Sequence, residues 1–275
     1  MNNRNITSLL ILSFLVSTLS MYCALMGFLD KNLYESVILT GVFKIAFMPG
    51  TVSQDIISIV SSVLMIILIA LYTKQKDIRV LISIIGLLSF YFYGYGTYVI
   101  SALYTSMYLV YMLIFTLSLL GMVIGISGFT SDCIKGLFLP KWIRVCGIVF
   151  LSVIVFIFTS KWITDVIPYT QNHTAPDFYA IFILDLCIVL PLFMVIIYML
   201  IKNIKLAYIL LGIALLKTAT LILSVAIGSL IAPKYGIQEE ASMIFIYCFV
   251  AMISLTLFGF YCLKIEQETK NRCPC

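Results

Sequence analysis

Stretches of about 20 consecutive apolar residues recur along the whole chain, and they constrain its fold more than any other feature. A helix of about 20 residues crosses the roughly 30 Å hydrocarbon core of a bilayer. In lipid each backbone polar group must be bonded within its own segment, so such stretches fold as helices. The sequence therefore predicts an all-α, polytopic transmembrane bundle that forms a single domain over residues 1–275. About eight spans are predicted, at approximately 6–28, 53–73, 80–97, 102–126, 143–161, 178–201, 206–231 and 241–263.

The composition agrees with a chain that folds in lipid. Hydrophobic residues make up 63% of the sequence and charged residues only 11%, whereas soluble domains carry about 25% charged residues. The opening apolar stretch is too long for a removable signal peptide and lacks a clear small-residue cleavage site, so we expect it to remain as the first helix. The sequence predicts a multi-pass integral membrane protein whose partner is the lipid bilayer, located in the cell membrane.

Basic residues are distributed unevenly between the two sets of connecting segments. If the N-terminus is inside, twelve of the 17 lie in cytoplasmic segments: Arg4, Lys74, Lys76, Arg79, Lys135, Lys141, Arg144, Lys202, Lys205, Lys264, Lys270 and Arg272. Four lie in the outer segments: Lys31, Lys44, Lys161 and Lys234. Because positive charges are retained on the cytoplasmic side, both termini are predicted to be cytoplasmic. The net charge of +5 is then a topology signal, and we predict no nucleic-acid partner.

Two ionisable residues, Asp185 and Lys217, lie deepest in apolar sequence, in successive spans. A charge in hydrocarbon costs roughly 3 kcal/mol on insertion scales, so an acid and a base there indicate a protein-lined polar interior. Asp185 lies about seven residues, or roughly 10 Å, from the outer end of its helix, and Lys217 about fourteen residues, or roughly 21 Å. A direct bond would need a shifted helix boundary or a bridging water, yet we expect both groups to share one cavity.

Further residues accompany both charges. Pro191 removes one backbone hydrogen bond and should kink the sixth span close to Asp185. Thr220 and Ser224 share a small, polar helical face with Lys217. Because such a face belongs against another helix, we include Thr220 and Ser224 in the predicted cavity.

A third intramembrane acid, Asp55, lies near the outer start of the second span. Thr51 precedes Gln54 by three residues, the spacing of a capping box that would begin the helix here. Asp55, Ser58 and Ser62 recur on one helical face, which indicates a polar stripe directed at other helices. We place Gln54 and Asp55 in the cavity wall and keep the alternative that Asp55 only stabilises the helix N-terminus through the macrodipole.

Tyrosines recur at helical spacing near the outer leaflet in the third and fourth spans. The two sets are Tyr91, Tyr95 and Tyr98, followed by Tyr104, Tyr108 and Tyr111. An aromatic belt at headgroup level would explain part of them. A belt needs no helical spacing, however, so the two stripes could equally line a cleft whose hydroxyls point at a bound molecule.

Familiar catalytic and cofactor motifs are missing from the sequence. The stretch Gly125-Ile126-Ser127-Gly128 resembles the serine motif of rhomboid-type proteases, but the sole histidine, His173, lies in a loop and cannot serve as the base. There is no phosphate-binding Gly-Lys loop, no His pair at metal spacing and no Cys-x-x-Cys motif. We therefore predict no metal site and no cofactor. The eight cysteines have no paired spacing, so no disulfide framework is predicted.

Several short motifs together resemble a known group of proteins. They are Gln54-Asp55 opening the second span, tyrosine-rich aromatics in the third, Asp185-Leu186 with Leu190-Pro191 in the sixth, and Lys217 in the seventh. This pattern resembles a family of bacterial multi-spanning membrane proteins, with about eight helices and no assigned activity. The resemblance extends over most of the chain and implies a fold of that kind, but it implies no ligand or reaction.

Three functional interpretations remain open. The favoured one is a protein that binds or transports a small solute or lipid in an outward-opening, tyrosine-lined cavity, because intramembrane ionisable groups usually mark such a path. The second is a membrane-embedded enzyme with Asp55 or Asp185 as general acid or base, and the sequence does not decide whether the protein is an enzyme. The third is a structural or assembly subunit in which Asp185 and Lys217 only fix helix packing.

Overall fold

The computed structural model describes residues 3–30, 32–40, 44–238 and 240–267. Three residues of the charge argument, Lys31, Lys270 and Arg272, lie outside these described residues.

Eight helices in the described part of the chain are long and apolar enough to cross a membrane. This confirms the predicted all-α polytopic bundle. The helices, in chain order, are α1 (Asn3–Leu29), α2 (Asn32–Leu39), α3 (Met48–Gln75), α4 (Ile78–Ile100), α5 (Tyr108–Ser127), α6 (Ser131–Lys135), α7 (Lys141–Gln171), α8 (Tyr179–Leu184), α9 (Leu190–Ile201), α10 (Leu206–Ile231) and α11 (Ala241–Lys264). The short α2 and α6 do not span, and α8 and α9 together make one span.

Two helix starts differ from those predicted. The second span, α3, begins at Met48 with Pro49 in its first turn, where the missing N–H of a proline costs no helical bond. The capping box is therefore wrong: the Thr51 hydroxyl donates to the Phe47 carbonyl (3.0 Å) from inside the helix. The fourth span, α5, begins at Tyr108 rather than at residue 102, because Ala102 ends α4 in the left-handed region (φ 56°).

The end of α4 has the hydrogen bonds of a Schellman motif. The Leu103 N–H donates to the Tyr98 carbonyl (3.1 Å), and the Ala102 N–H donates to the Val99 carbonyl (3.3 Å). These bonds satisfy carbonyls that would otherwise be left unpaired at the helix end. The connection to α5 is consequently a compact, bonded turn.

The fifth span is longer than predicted, and the sixth span is interrupted by a π-helical turn. α7 is 31 residues long and continues about ten residues beyond its predicted end at 161. In the sixth span, a π-helical turn over Asp185–Val189 joins α8 to α9. Pro191 lies two residues after this turn, where its missing N–H and its ring disfavour ordinary α-helical bonding.

α4 and α10 are the central helices of the bundle. The most apolar window of α4 is 83% buried and that of α10 is 72% buried. α4 packs against α5, α10 and α3, and α10 packs against α11, α4 and α3. Large apolar side chains of the peripheral helices point outward, such as Phe156 (74% exposed) on α7 and Phe245 (76%) on α11. A surface of this kind is stable in hydrocarbon and not in water, so the chain is a multi-pass membrane protein.

Most described basic residues lie at one end of the bundle, which we call the basic end: Arg4, Lys74, Lys76, Arg79, Lys135, Lys141, Arg144, Lys202, Lys205 and Lys264. Hydrogen bonds connect separate segments of the chain at this end. Arg79 donates to the Ile265 carbonyl (2.8 Å), and Arg144 donates to Asn203. The strands β1 (Leu137–Phe138) and β2 (Glu266–Gln267) form a short antiparallel pair there.

Candidate functional site

A cavity of about 720 Å³ lies in the half of the bundle away from the basic end. Its walls come from the turn before α3 and the start of α3, the end of α4, the C-terminal half of α7, the start of α8 and the C-terminal half of α10, with Tyr247 of α11. Ligand pockets in proteins typically measure roughly 300–1,000 Å³, so the cavity has room for a small organic molecule. Its polar and charged lining residues are Thr51, Ser53, Gln54, Thr97, Ser101, Lys161, Thr164, Asp165, Asp185 and Ser224, and its aromatic ones are Phe47, Tyr93, Tyr98, Phe158, Trp162, Tyr169, Phe178, Phe182 and Tyr247.

Asp185 is a buried charged residue in the cavity wall. It is 8% exposed and occupies the first position of the π-helical turn. The Trp162 indole N–H of α7 donates to the Asp185 Oδ2 oxygen (2.8 Å). Because a π-turn widens the helix and re-aims its side chains, the local backbone and the neighbouring Pro191 explain how a carboxylate is presented from this apolar span.

Lys217 lies behind the cavity wall, and an aromatic ring connects it to Asp185. Its ammonium lies 4.3 Å from the ring centroid of Tyr93 and 5.6 Å from that of Phe193. Asp185 and Lys217 interact electrostatically, but no ion pair within 4.0 Å joins these two described residues. Tyr93 also interacts with the Asp185 carboxylate, so acid, ring and base form one unit, Asp185–Tyr93–Lys217.

Aromatic pairs build the sides of the cavity next to Asp185. The Trp162 ring lies 5.2 Å from that of Phe182, and Phe47, directly before α3, lies 4.7 Å from Phe178, directly before α8. Aromatic pairs at such separations contribute about 0.5–1.5 kcal/mol beyond the area they bury. Ring contacts therefore connect α7 to α8, and connect the turn before α3 to the start of α8.

An ion pair lies on the α7 side of the cavity. The Lys161 ammonium lies 2.8 Å from the Asp165 carboxylate, one helical turn later. The same ammonium lies 5.2 Å from the Trp162 ring centroid. Both charged side chains are partly exposed, at 46% and 37%, so this pair borders the cavity rather than closing it.

Small residues allow α3, α4 and α10 to approach closely beside the cavity. A Cβ atom added to Gly94 of α4 would overlap the Gln54 amide of α3. The Ser53 and Ser224 hydroxyls of α3 and α10 share a hydrogen bond (3.3 Å). A Cβ atom at Gly228 would lie 3.1 Å from the Ser53 hydroxyl. These contacts place the predicted residues Gln54 and Ser224 in the cavity wall.

Asp55 belongs to a second, closed polar cluster between α1, α2 and α3, and it does not line the cavity. The Tyr34 hydroxyl donates to the Asp55 Oδ2 oxygen (2.7 Å), and Asp55 is only 2% exposed. A Cβ atom at Gly27 would overlap this carboxylate oxygen and approach the Tyr34 hydroxyl. Burial raises the pKa of Tyr34 well above its ordinary value, so this hydroxyl stays protonated and remains the donor.

Three of the predicted tyrosines, Tyr91, Tyr95 and Tyr111, are fully buried in helix packing. Tyr91 shares a hydrogen bond with Ser62 (2.9 Å), and Tyr95 shares one with Ser20 of α1 (2.9 Å). The Tyr111 hydroxyl accepts a hydrogen bond from Thr105 (3.3 Å). Because their hydroxyls are satisfied by neighbouring helices and turns, these rings behave as core residues.

Tyr98 is the predicted tyrosine that reaches the cavity, and its hydroxyl donates to the Thr51 carbonyl (3.1 Å). The remaining predicted residues lie elsewhere. Tyr104 is 61% exposed and contacts the Tyr108 ring at 4.6 Å, an arrangement typical of a membrane-interface belt. Thr220 donates to its own helix, at the Leu216 carbonyl (2.9 Å).

Tyr93 and Trp162 interact with Asp185 but were not among the residues predicted for the site. Tyr93 lies between the tyrosines of the predicted stripe, and spacing alone gives no reason to prefer it. Trp162 falls just past the predicted end of the fifth span, where a tryptophan is typical of an interfacial anchor. The residues after Trp162, Ile163-Thr164-Asp165-Val166-Ile167, mix apolar and polar types, so hydropathy alone did not indicate that α7 continues to Gln171.

No metal centre is assembled by the described residues, among which no group of His, Cys, Asp and Glu is placed to hold an ion. The cavity instead combines aromatic rings, hydroxyls and a buried carboxylate. These groups can bind and orient a molecule by hydrogen bonds, by charge and by ring contacts.

Comparisons of this chain with protein-family models, with curated proteins and with solved structures found no match. The resemblance to a family of bacterial membrane proteins therefore depends on the short sequence motifs alone. What the fold establishes is a multi-pass membrane protein with eight spanning helices.

Proposed function

We propose that the protein binds a small organic molecule in the cavity between α3, α4, α7, α8 and α10, as the binding step of uptake, export or sensing. The observation that carries this proposal is the buried Asp185 carboxylate in the aromatic wall of a cavity of about 720 Å³. A carboxylate is costly inside a membrane protein. Helix packing alone needs no cavity beside it.

We also propose that the cavity opens to the outer face of the cell membrane. The support is the position of the basic end, which lies opposite the cavity and carries the excess of Lys and Arg. Since such residues are retained on the cytoplasmic side, the cavity half is the outer half. A ligand would then enter from the medium or from the outer leaflet.

Intrinsic fluorescence offers a direct test, because the chain has only two tryptophans. In the Trp142→Phe variant, Trp162 is the sole reporter and lies in the cavity wall. We would titrate this variant, in nanodiscs, with a library of organic cations, neutral molecules and anions. The proposal predicts a saturable change of the Trp162 emission with at least one class of compound.

Two matched variants separate cavity binding from nonspecific partitioning. In Trp162→Phe the remaining reporter, Trp142, lies at the basic end and should not respond. Gly50 lines the cavity, and a Cβ atom there meets nothing within 4 Å, so Gly50→Phe should narrow the cavity without a backbone clash and weaken the response. If no compound changes the Trp162 emission saturably, or if the Trp142 reporter responds in the same way, the proposed function is wrong.

A further inference from the structure

We propose that the ligand carries a positively charged ammonium group, which binds against Asp185 and the aromatic rings beside it. This inference rests on the proposed function and specifies the chemical class of its ligand. It is argued from the charges of the cavity wall, from its rings, and from the position of Lys217.

The charges of the cavity wall leave one carboxylate without a counter-ion in contact. Three Asp or Lys side chains line the cavity: Lys161, Asp165 and Asp185. Lys161 and Asp165 are paired with each other at 2.8 Å. Among the described residues, Asp185 has no ion-pair partner within 4.0 Å. A cationic group would supply that partner, whereas an anionic group would be repelled.

The Asp185 carboxylate also retains capacity to accept hydrogen bonds. An ionised carboxylate offers about four acceptor positions on two oxygens. Trp162 occupies one of them, on Oδ2, and Tyr93 approaches the same group. A cationic group could therefore contact the free carboxylate oxygen without displacing the indole.

The aromatic walls favour the same class of ligand. Aromatic faces attract cations, and the interaction is worth about 2 kcal/mol or more where water is excluded. The protein already pairs its own ammonium groups with rings at both edges of this region, Lys161 with Trp162 at 5.2 Å and Lys217 with Tyr93 at 4.3 Å. A ligand ammonium in the cavity would have the same surroundings.

Repulsion from Lys217 does not reverse this preference. Opposite unit charges at about 4 Å attract by roughly 4 kcal/mol at an effective dielectric constant of 20, and the energy halves when the distance doubles. The Lys217 ammonium lies 4.3 Å from the Tyr93 ring centroid and is absent from the cavity lining. A ligand in contact with Asp185 is therefore closer to the carboxylate than to the competing ammonium.

Three matched esters test the charge preference on the unmodified binding site. Butyrylcholine carries a trimethylammonium group, 3,3-dimethylbutyl butyrate has the same shape without charge, and 2-sulfoethyl butyrate is anionic. In the Trp142→Phe variant we expect butyrylcholine to bind roughly tenfold more tightly than the neutral ester, and the anion to bind more weakly still. Equal binding of all three would overturn the ammonium inference while leaving the proposed binding function intact.

Variants that remove one carboxylate then test whether Asp185 causes the preference for the cationic ester. Asp185→Asn should remove the advantage of butyrylcholine over its neutral isostere. Asp177→Asn is the matched control, because Asp177 pairs with Lys44 (2.5 Å) and does not line the cavity, so the advantage should persist. Should Asp185→Asn fail to fold, the comparison of the three esters still decides. A preference that survives in folded Asp185→Asn protein would contradict the assignment to Asp185.

The ammonium group could belong to a free solute or to a lipid headgroup, and the membrane composition distinguishes the two. To nanodiscs of phosphatidylglycerol, which lacks ammonium, either free butyrylcholine is added or a long-chain phosphatidylcholine is incorporated into the bilayer. A response to butyrylcholine supports a soluble ligand, and a response to the choline lipid alone supports a headgroup. A response to neither would overturn the inference.

Discussion

The buried Lys217 is stabilised by rings rather than by a contact ion pair. Its ammonium lies 4.3 Å from the Tyr93 ring centroid and 5.6 Å from that of Phe193, and no Asp185 oxygen lies within 4.0 Å of it. A desolvated cation on an aromatic face gains about 2 kcal/mol, which offsets much of the roughly 3 kcal/mol insertion cost of the charge. Tyr93 therefore contributes both to the cavity wall and to the stability of the charge behind it.

Replacing Tyr93 tests this role of the ring. Tyr93→Phe keeps the aromatic face and should cost less than about 1 kcal/mol, whereas Tyr93→Leu removes the face and should cost about 2 kcal/mol more. In a Lys217→Met background, the extra cost of leucine over phenylalanine should largely disappear. Chemical unfolding of all four single and double variants measures these differences. An unchanged leucine penalty in the Lys217→Met background would show that the ring and the ammonium are not coupled.

At the scale of helices, close approach explains the positions of the polar clusters. Asp55 fits between α1, α2 and α3 only because Gly27 of α1 has no side chain where the carboxylate lies. In the same way, the absence of a side chain at Gly94 lets α4 approach Gln54 of α3 beside the cavity. The two acids Asp55 and Asp185 consequently lie in different environments, one closed by Tyr34 and one in the cavity wall.

Substitution of Gly27 should separate the helices that enclose Asp55. Gly27→Ala places a methyl group on the Asp55 carboxylate and should lower the free energy of unfolding by roughly 1–3 kcal/mol. Gly259→Ala in α11 is the control, since a Cβ atom there meets nothing within 4 Å, and it should be neutral. Thermal unfolding compares the two variants. Equal melting temperatures would show that α1 does not approach α3 as closely as described.

At the scale of the whole molecule, the sequence predicts the number of membrane spans and the all-α fold, because both depend on the length and hydropathy of its segments. The number of spans follows from apolar windows long enough to cross the bilayer, and the structure confirms about eight of them. The turn at Ala102 was missed because a left-handed residue is ordinarily glycine.

The composition of the site depends on information that spacing does not contain. Helical periodicity groups residues on a face but does not say which neighbour the face meets. Their spacing therefore predicted that Tyr91 and Tyr95 line a ligand cleft. In the structure their hydroxyls instead bond to Ser62 and Ser20. The π-helical turn at Asp185 rotates the rest of its span, which no regular period predicts.

The central claim, a binding cavity open to the outer face, is tested most directly by the reactivity of Ser224→Cys. Ser224 lines the cavity, whereas Ser254 is fully buried against the Leu215 carbonyl. Asn172→Cys, in the predicted outer loop, and Ser131→Cys, at the basic end, report the two sides of the membrane. An impermeant methanethiosulfonate is applied to right-side-out vesicles, and labelling is quantified at each site by mass spectrometry.

We predict labelling of Ser224→Cys and Asn172→Cys from outside, with Ser131→Cys and Ser254→Cys protected. Gly50→Phe, which narrows the cavity, should slow the labelling of Ser224→Cys without affecting Asn172→Cys. Labelling of Ser131→Cys in place of Asn172→Cys would contradict the orientation. Labelling of Asn172→Cys with a fully protected Ser224→Cys would contradict the outward-open cavity.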